Sequence, residues 1–320
     1  MIISKTPFRI SLFGGSTDYP SYYKNHGSLI LGFAMDKYCY ITLSQTPKIL
    51  NYKTLVSYSK LEKVSKNSDI EHNGVRGVLE YLKIRQGVEI HHLCDLPSQT
   101  GIGSSSSFIV GLLNAASQLK KKTCDVHCLA EAAIEVERVL LGEPGGIQDQ
   151  IWAAYGGVNS IHINKDGSFE VKPLPLSHRF KQEFLDRCAL IYTGKKRKSF
   201  DIAKAHDNRK GDAAKKSIQN IANAAYEAFH QEDIDLLGRL LDQSWEQKKK
   251  ISPLISSDNI ESMYSDLQKN GMIGGKLLGT GGSGFIFCIL KEGKEDAFVK
   301  KFAKNHVAFD FDEEGSQIIN

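Results

Sequence analysis

A chain of 320 residues, 41% of them apolar and 24% charged, can bury a sizeable core and favours two domains over one. Its 41 lysines and arginines against 37 acidic residues leave a net charge of +4, which argues against a dedicated nucleic-acid binder and suits a small-molecule enzyme. The six cysteines, at 39, 94, 124, 128, 188 and 288, show no CxxC or Cys/His ligand spacing, so they read as buried, reduced thiols and not as a disulfide framework or a zinc site.

The opening residues lack the basic and apolar regions of a signal peptide, and no apolar run approaches the roughly 18 residues needed to span a bilayer. The expected compartment is the cytosol, with no membrane partner. In chain order, Phe8-Arg9-Ile10-Ser11-Leu12-Phe13 alternates and breaks at Gly14-Gly15, a strand ending in a turn. Residues 35–43 and 88–93 are further strand candidates. Residues 106–119 read as a helix that starts on serines and ends at Lys120-Lys121-Lys122, near its negative dipole end. A second helix, 129–141, stops at Gly142, ahead of Pro144. The turn Glu143-Pro144-Gly145-Gly146 leads into 147–155 and a strand, Val158–Ile163. The polar stretch 165–178 is the expected boundary between an N-terminal ATP-binding and catalytic domain, 1–168, and a C-terminal domain, 169–320. Strands at 189–192, Phe285–Leu290 and 307–311 alternate with helices near 211–230, 233–251 and 256–270, the mixed order of an α+β fold.

A phosphate-binding loop needs clustered backbone N–H groups, small side chains and a helix N-terminus behind it. The stretch Pro97-Ser98-Gln99-Thr100-Gly101-Ile102-Gly103-Ser104-Ser105-Ser106-Ser107 meets all three conditions, although an ordinary loop before a serine-capped helix would look the same. No Gly-x-x-x-x-Gly-Lys-[Ser/Thr] occurs. Gly279-Thr280-Gly281-Gly282-Ser283-Gly284 matches G-x-G-x-x-G, but a helix-like segment precedes it and an apolar strand follows, the wrong setting for a dinucleotide fold. It reads as a tight turn whose bare backbone approaches a ligand or another loop.

On a helical wheel of 129–141, Glu137 falls in a widened apolar arc beside Ala130 and Ala133, while Glu131, Glu135 and Arg138 lie opposite Leu129, Val136, Val139 and Leu140. A carboxylate so placed needs an ion pair, hydrogen bonds or a cation. Asp149 either caps the helix after the Pro-Gly-Gly turn or is presented to a cleft. Asp18 is either an N-cap or an acceptor for a substrate hydroxyl, and Arg9 is open between a surface charge and a site residue. Lys195, Lys196, Arg197 and Lys198 form a positive cluster, which is either a solvated loop or a grip on an anionic substrate.

Three of these motifs, in this order, resemble the GHMP kinases, which include galactokinase, homoserine kinase, mevalonate kinase and phosphomevalonate kinase. They are Thr6-Pro7-Phe8-Arg9-Ile10-Ser11-Leu12-Phe13-Gly14-Gly15-Ser16-Thr17-Asp18-Tyr19, the loop from Leu96 to Ser107, and Lys276-Leu277-Leu278-Gly279-Thr280-Gly281-Gly282-Ser283-Gly284. Ile102 and Ser106 stand where Leu and Ala are common in the family, and the segment from Glu137 to Asp149 is one residue longer than in mevalonate kinase. The resemblance implies an N-terminal domain like the second domain of ribosomal protein S5 and a ferredoxin-like C-terminal domain. It implies ATP held by residues 97–106, Mg²⁺ held by Ser105 and Glu137, Asp149 as catalytic base and Arg9 as the basic residue beside it. On the substrate side it implies Gly14, Gly15, Ser16, Asp18, Gly146, Gly281 and Gly282.

Gly14-Gly15-Ser16-Thr17-Asp18-Tyr19, Gly145-Gly146-Ile147-Gln148-Asp149-Gln150 and Tyr192-Thr193-Gly194-Lys195 most resemble the branch that phosphorylates the anomeric hydroxyl of D-glycero-α-D-manno-heptose 7-phosphate. With such a substrate, Lys195, Lys196 and Arg197 are the candidates for neutralising its phosphate. A neutral sugar such as L-fucose or galactose is the nearest alternative, and a catalytically silent sugar sensor is another. The oligomeric state is left open, a homodimer included.

Overall fold

The computed structural model describes residues 1–122, 124–194 and 211–319, so the basic cluster at 195–198 lies outside the described residues. Strand β1 (Ile2–Phe13) runs antiparallel to the 18-residue β2 (Ser28–Gln45), joined through a short helix, α1 (Pro20–His26). The length of β2 lets it serve two partners along its other edge. Residues 28–33 pair with β6 (Val158–Ile163), and residues 39–45 pair with β5 (Val88–Cys94). The sheet forks between them, and at that fork the chain leaves β5 for the loop at 95–103.

Beyond β5 lie β3 (Thr54–Ser57) and β4 (Leu61–Val64), with α2 (Asn73–Tyr81) between β4 and β5 in the chain. Beyond β6 lies β7 (Phe169–Pro173), and β12 (Gln317–Ile318) pairs with the free edge of β1. The large sheet thus continues past residue 168 and takes in a strand from the end of the chain.

Helices α3 (Ser104–Leu119), α4 (Val126–Ile134) and α5 (Gln148–Tyr155) belong to this half. Burying Ile109, Val110, Leu112 and Leu113 of α3 beside Ile151 and Trp152 of α5 removes most of their apolar surface from water, a gain of about 1.5–3 kcal/mol for each large side chain.

After α6 (His178–Asp186) the second half has the order β8 (Cys188–Tyr192), α7 (Asp212–His230), α8 (Ile234–Lys249), α9 (Asp258–Lys269), β9 (Met272–Leu277), β10 (Phe285–Leu290), α10 (Glu295–Lys301) and β11 (His306–Val307). Its strands are arranged β11-β8-β10-β9, all antiparallel, which is the βαββαβ pattern of a ferredoxin-like domain. Phe33 of the large sheet packs edge-on to Phe287 of the small one, with ring centroids 6.0 Å apart, and Phe184 and Phe311 join them in one continuous core.

Several expectations change. The segment directly before Gly279 is a strand, β9, and not a helix, so the glycine motif closes a β-hairpin; Gly274 and Gly275 let α8 and β10 press against it. In the region expected as a strand at 307–311, only His306–Val307 forms a strand, paired with β8; Phe311 makes an isolated antiparallel bridge to Met35 of β2, and Phe309 and Phe311 pack against the core. Of the six cysteines, all free, Cys39, Cys188 and Cys288 are buried, Cys94 and Cys124 are half-buried and Cys128 is exposed.

The expected helix 129–141 starts earlier, where Asp125 accepts a hydrogen bond from Cys128 N at 2.8 Å, and after Ile134 it widens into a π-helix, Glu135–Leu140. The wide turn is closed by Leu141 N donating to Val136 O at 2.9 Å. A wheel drawn at α-helical spacing therefore fails over this turn. Val139 and Leu140, expected inside, are 66% and 43% exposed, while Glu137 is 1% exposed.

Candidate active site

The cleft opens where the N-terminal end of α3 faces the hairpin loop between β9 and β10. Its phosphate-loop side is made mostly of backbone. Gly101 and Gly279 both have positive φ, and a Cβ on Gly101 would lie 2.5 Å from Leu278 O, while one on Gly279 would lie 2.4 Å from the Gly101 Cα. The two glycine motifs thus meet main chain to main chain, the close approach to another loop that the second motif suggested. The side chains of Gln99, Ser104, Ser105 and Ser106 line the cleft, as do Gly101 and Gly103, whereas Thr100 and Ile102 are fully buried and Thr100 Oγ1 donates to Pro97 O at 2.7 Å. Pro97 and Ser98 are exposed at the loop's edge.

Behind the serines, Glu137 reaches the cleft because the π-turn swings it there. Its carboxylate accepts from Ser105 Oγ at 3.2 Å, Ser106 Oγ at 2.7 Å and Gln150 Nε2, with Arg138 at 4.0 Å. The Ser106 departure from the usual Ala thus adds a donor to this buried carboxylate. A carboxylate and a serine hydroxyl are the hard oxygen donors that Mg²⁺ takes, and Gln150 Oε1 beside them is buried without a partner, so the donor set at Ser105 and Glu137 fits that ion.

The opposite side is built from side chains brought by distant elements. Arg9, from the middle of β1, is buried and grips Asp149 on the first turn of α5 through two parallel bonds, Nε to Oδ1 and Nη2 to Oδ2, each 2.8 Å. Its Nη1 donates to Gly101 O at 2.6 Å, tying this pair to the phosphate loop. Asp149 is not the cap of α5, a position that falls on Ile147. Asp18 is not a cap either, since Tyr19 precedes α1. Asp18 is buried, accepting from Ser16 N at 3.1 Å and Gln148 N at 3.3 Å; burial and then the nearby Asp149 charge push its pKa up. Gly146 is obligatory beside it, because a Cβ there would sit 1.8 Å from Asp18 Oδ2. Gly15, Ser16, Gly146 and Gly281 line the cleft, whereas Gly14 is turned against Leu29 and Gly282 donates its N–H to Ile255 O.

Two buried lysines complete this floor, and sequence reasoning gave neither a role. Lys276 Nζ donates to Leu12 O at 2.9 Å, and Lys248 Nζ donates to Leu277 O at 3.1 Å and Gly279 O at 2.5 Å. Burial, and then Arg9 nearby, push the Lys276 pKa down to about 7, and Lys248 is also pushed well down, by burial and then by Lys276. The signal for Lys248 was present: it follows Leu237, Leu241 and Trp245 on the apolar stripe of α8. Lys276 stands inside an apolar strand, β9. Arg138, placed opposite the apolar stripe on the wheel, donates to Gly146 O at 2.9 Å and Glu143 O at 3.1 Å and so holds the Pro-Gly-Gly turn.

Comparison with known proteins agrees with this architecture. The family model of the GHMP kinases N terminal domain matches residues 73–157, and that of the GHMP kinases C terminal matches residues 225–308. The chain is 29% identical to the D-glycero-alpha-D-manno-heptose 7-phosphate kinase of Campylobacter jejuni, over 98% of this chain and 97% of that protein. It is 25% identical to the mevalonate kinase of Methanocaldococcus jannaschii, over 96% of this chain and 97% of that protein. A crystal structure of a D-glycero-D-manno-heptose 1-phosphate kinase from Bacteroides thetaiotaomicron superposes with a TM-score of 0.83 at 23% identity, covering 100% of this chain and 99% of that one. Among the described residues no helix is long and apolar enough to cross a membrane. With both halves of the fold, the three motifs and the two family models in agreement, the chain belongs to the GHMP kinase family.

Proposed function

We propose that the protein is an ATP-dependent sugar kinase that phosphorylates the anomeric hydroxyl of D-glycero-α-D-manno-heptose 7-phosphate to give the 1,7-bisphosphate. The observation that carries this reading is the Arg9–Asp149 pair, bound at once to the glycine loop and set beside the buried Asp18. The choice of sugar rests on the 29% identity to the Campylobacter jejuni enzyme together with the three motifs resembling its branch of the family.

In this reading the backbone amides of 97–106 and the N-terminus of α3 hold the nucleotide phosphates. Glu137 and Ser105 would hold Mg²⁺, which when bound would supply charge neutralisation to the nucleotide phosphates. Asp18, expected from the family resemblance to meet a sugar hydroxyl, is instead buried off the cleft lining, where it holds the backbone of Ser16 and Gln148 that borders the acceptor. Asp149 accepts the proton of the anomeric hydroxyl as its oxygen forms the new bond to the γ-phosphorus, and the bond from that phosphorus to ADP breaks. Arg9 spends three of its five N–H donors on Asp149 and Gly101, so two remain to meet charge developing on the transferred group. Lys276 Nζ, held by Leu12 O, lines the cleft on the acceptor side. The grip of Lys195, Lys196 and Arg197 on the 7-phosphate is a proposal from the sequence.

A kinase screen over heptose 7-phosphate, its dephosphorylated form, L-fucose and galactose, with the product read by phosphorus NMR, tests the assignment. The expected result is anomeric phosphorylation with a strong preference for the phosphorylated heptose. Preference for a neutral sugar, or ATP binding without turnover on any of them, would overturn it.

A further inference from the structure

Strand pairing gathers three ligand-bearing side chains that the linear sequence keeps apart. Cys39 on β2 lies directly opposite Cys94 on β5, and His92 precedes Cys94 by two residues, so all three leave the same face of the sheet. Their ligand atoms, two sulfurs and one ring nitrogen, lie within 4.8 Å of one another. His92 Nε2 is 2.8 Å from Cys94 Sγ, and its ring stands edge-on to Phe108 with centroids 4.8 Å apart. Cys39 is fully buried while His92 and Cys94 are half-buried, which gives the cluster a closed inner side and an open outer one. None of the three lines the cleft, and the phosphoryl transfer proposed above uses none of them.

We propose that Cys39, His92 and Cys94 form a binding site for one divalent cation of the zinc class, with the fourth coordination position open to solvent. Two thiolates and an imidazole are a zinc donor set, at about 2.3 Å to sulfur and about 2.0 Å to nitrogen. Ligand atoms already this close converge on one ion by side-chain adjustment. Soft sulfur donors disfavour Mg²⁺, so the site is chemically distinct from the oxygen pair at Ser105 and Glu137.

The proton balance is simple. Both sulfurs bind the ion as thiolates, so the thiol protons of Cys39 and Cys94 leave for solvent as it binds, and His92 coordinates as neutral imidazole. The site also sits at both flanks of the phosphate loop. Cys94 is followed by Asp95, which exchanges hydrogen bonds with the Tyr38 backbone, and Phe108 belongs to α3. An ion here would fix the strand end from which that loop departs.

The test uses the full chain, reduced, stripped with a chelator and titrated with Co²⁺ and then Zn²⁺. The expected result is a thiolate-to-cobalt charge-transfer band that saturates at one equivalent per chain and is displaced by Zn²⁺. Cys94→Ser and His92→Ala, at half-buried positions, should each weaken binding at least tenfold with unchanged far-UV circular dichroism. A Cys124→Ser/Cys128→Ser double variant should keep the band. Absence of the band in the native chain, its loss only in the Cys124/Cys128 variant, or failure of Zn²⁺ to protect Cys39 and Cys94 from disulfide formation on mild oxidation would each overturn the proposal.

Discussion

The two sides of the cleft are made of different material. The loop side is chiefly main chain, with glycines and serines drawn from two short stretches, 97–107 and 279–284, the first backed by a helix terminus. The acceptor side is chiefly side chains, Arg9, Asp149, Lys248 and Lys276, drawn from β1, α5, α8 and β9, with Asp18 buried and outside the cleft lining. The first, in the proposed reading, would bind by presenting many weak, oriented dipoles and costs little to bury. The second concentrates charge away from water, and its groups shift one another's protonation. Local motifs and long-range assembly thus meet across a few ångströms, and substitutions on the two sides should fail in different ways.

The largest effect is expected on the acceptor side. Asp149→Asn should lower kcat at least about 100-fold, the usual consequence of losing a general base, while the KM for ATP hardly moves. Steady-state rates within tenfold of the parent protein would remove Asp149 from the chemistry. Next comes the buried carboxylate that joins the two sides. Glu137→Gln should depress activity most at limiting Mg²⁺, while the unfolding midpoint changes little, since an amide fills the same space but is a poor ligand. An unaltered Mg²⁺ titration would make Glu137 a structural residue.

On the loop side, Gly279→Val puts a branched side chain where even a Cβ would lie 2.4 Å from Gly101 and the backbone has positive φ. It should cost about 1–3 kcal/mol of stability and weaken nucleotide binding more than acceptor binding. Denaturant unfolding and a nucleotide-binding titration measure the two.

The pH dependence separates the sides more gently. Lys276 has its pKa lowered to about 7, so between pH 7 and about 10 the unfolded chain holds a proton at this lysine that the folded chain has lost. Stability therefore rises with pH across that window, and the cost of burying the charged amine is fully present below pH 7. Relative to Lys276→Met, the parent protein should gain on the order of 1–2 kcal/mol between pH 7 and pH 9 in urea unfolding. A constant difference between the two proteins would mean that Lys276 stays charged when buried. The smallest effect is expected for Ser106→Ala, which removes one of three donors to Glu137 and should cost about 1 kcal/mol with near-normal turnover.

What could be read from the sequence follows the same division. The glycine-serine loop at 97–107, the helix behind it and the second glycine turn were legible as structure because glycine and serine signals are local. The long strands were legible as fragments, since alternation marks the middle of β1 and β2 but not their ends. The burial of Glu137 was reached through a wheel at the wrong pitch, because nothing local announces a π-turn. Lys276 and Lys248 were overlooked because a lysine is ordinarily solvated, and only the meeting of β9 with β1, and of α8 with β9, closes water off from them. Arg9 and Asp149 could be named individually, but no spacing in the chain states that they hold each other.

The seam where Gly101, Gly279 and Gly284 press main chain to main chain also bears on the order of folding. A Cβ on Gly284 would lie 2.1 Å from Thr100 O, so the shape of the first loop depends on a hairpin formed much later in the chain. Contacts of such sequence separation carry a large loop-closure cost and form late. The strands and α3 can be in place while the loop between them is still without its wall. During refolding, recovery of secondary structure should therefore run ahead of the ability to bind a fluorescent nucleotide analogue, with a lag set by the docking of the β9–β10 hairpin. Newly made protein would pass through a stage in which it is nearly all built and yet blind to ATP; simultaneous recovery of both signals would show that the loop takes shape without its partner.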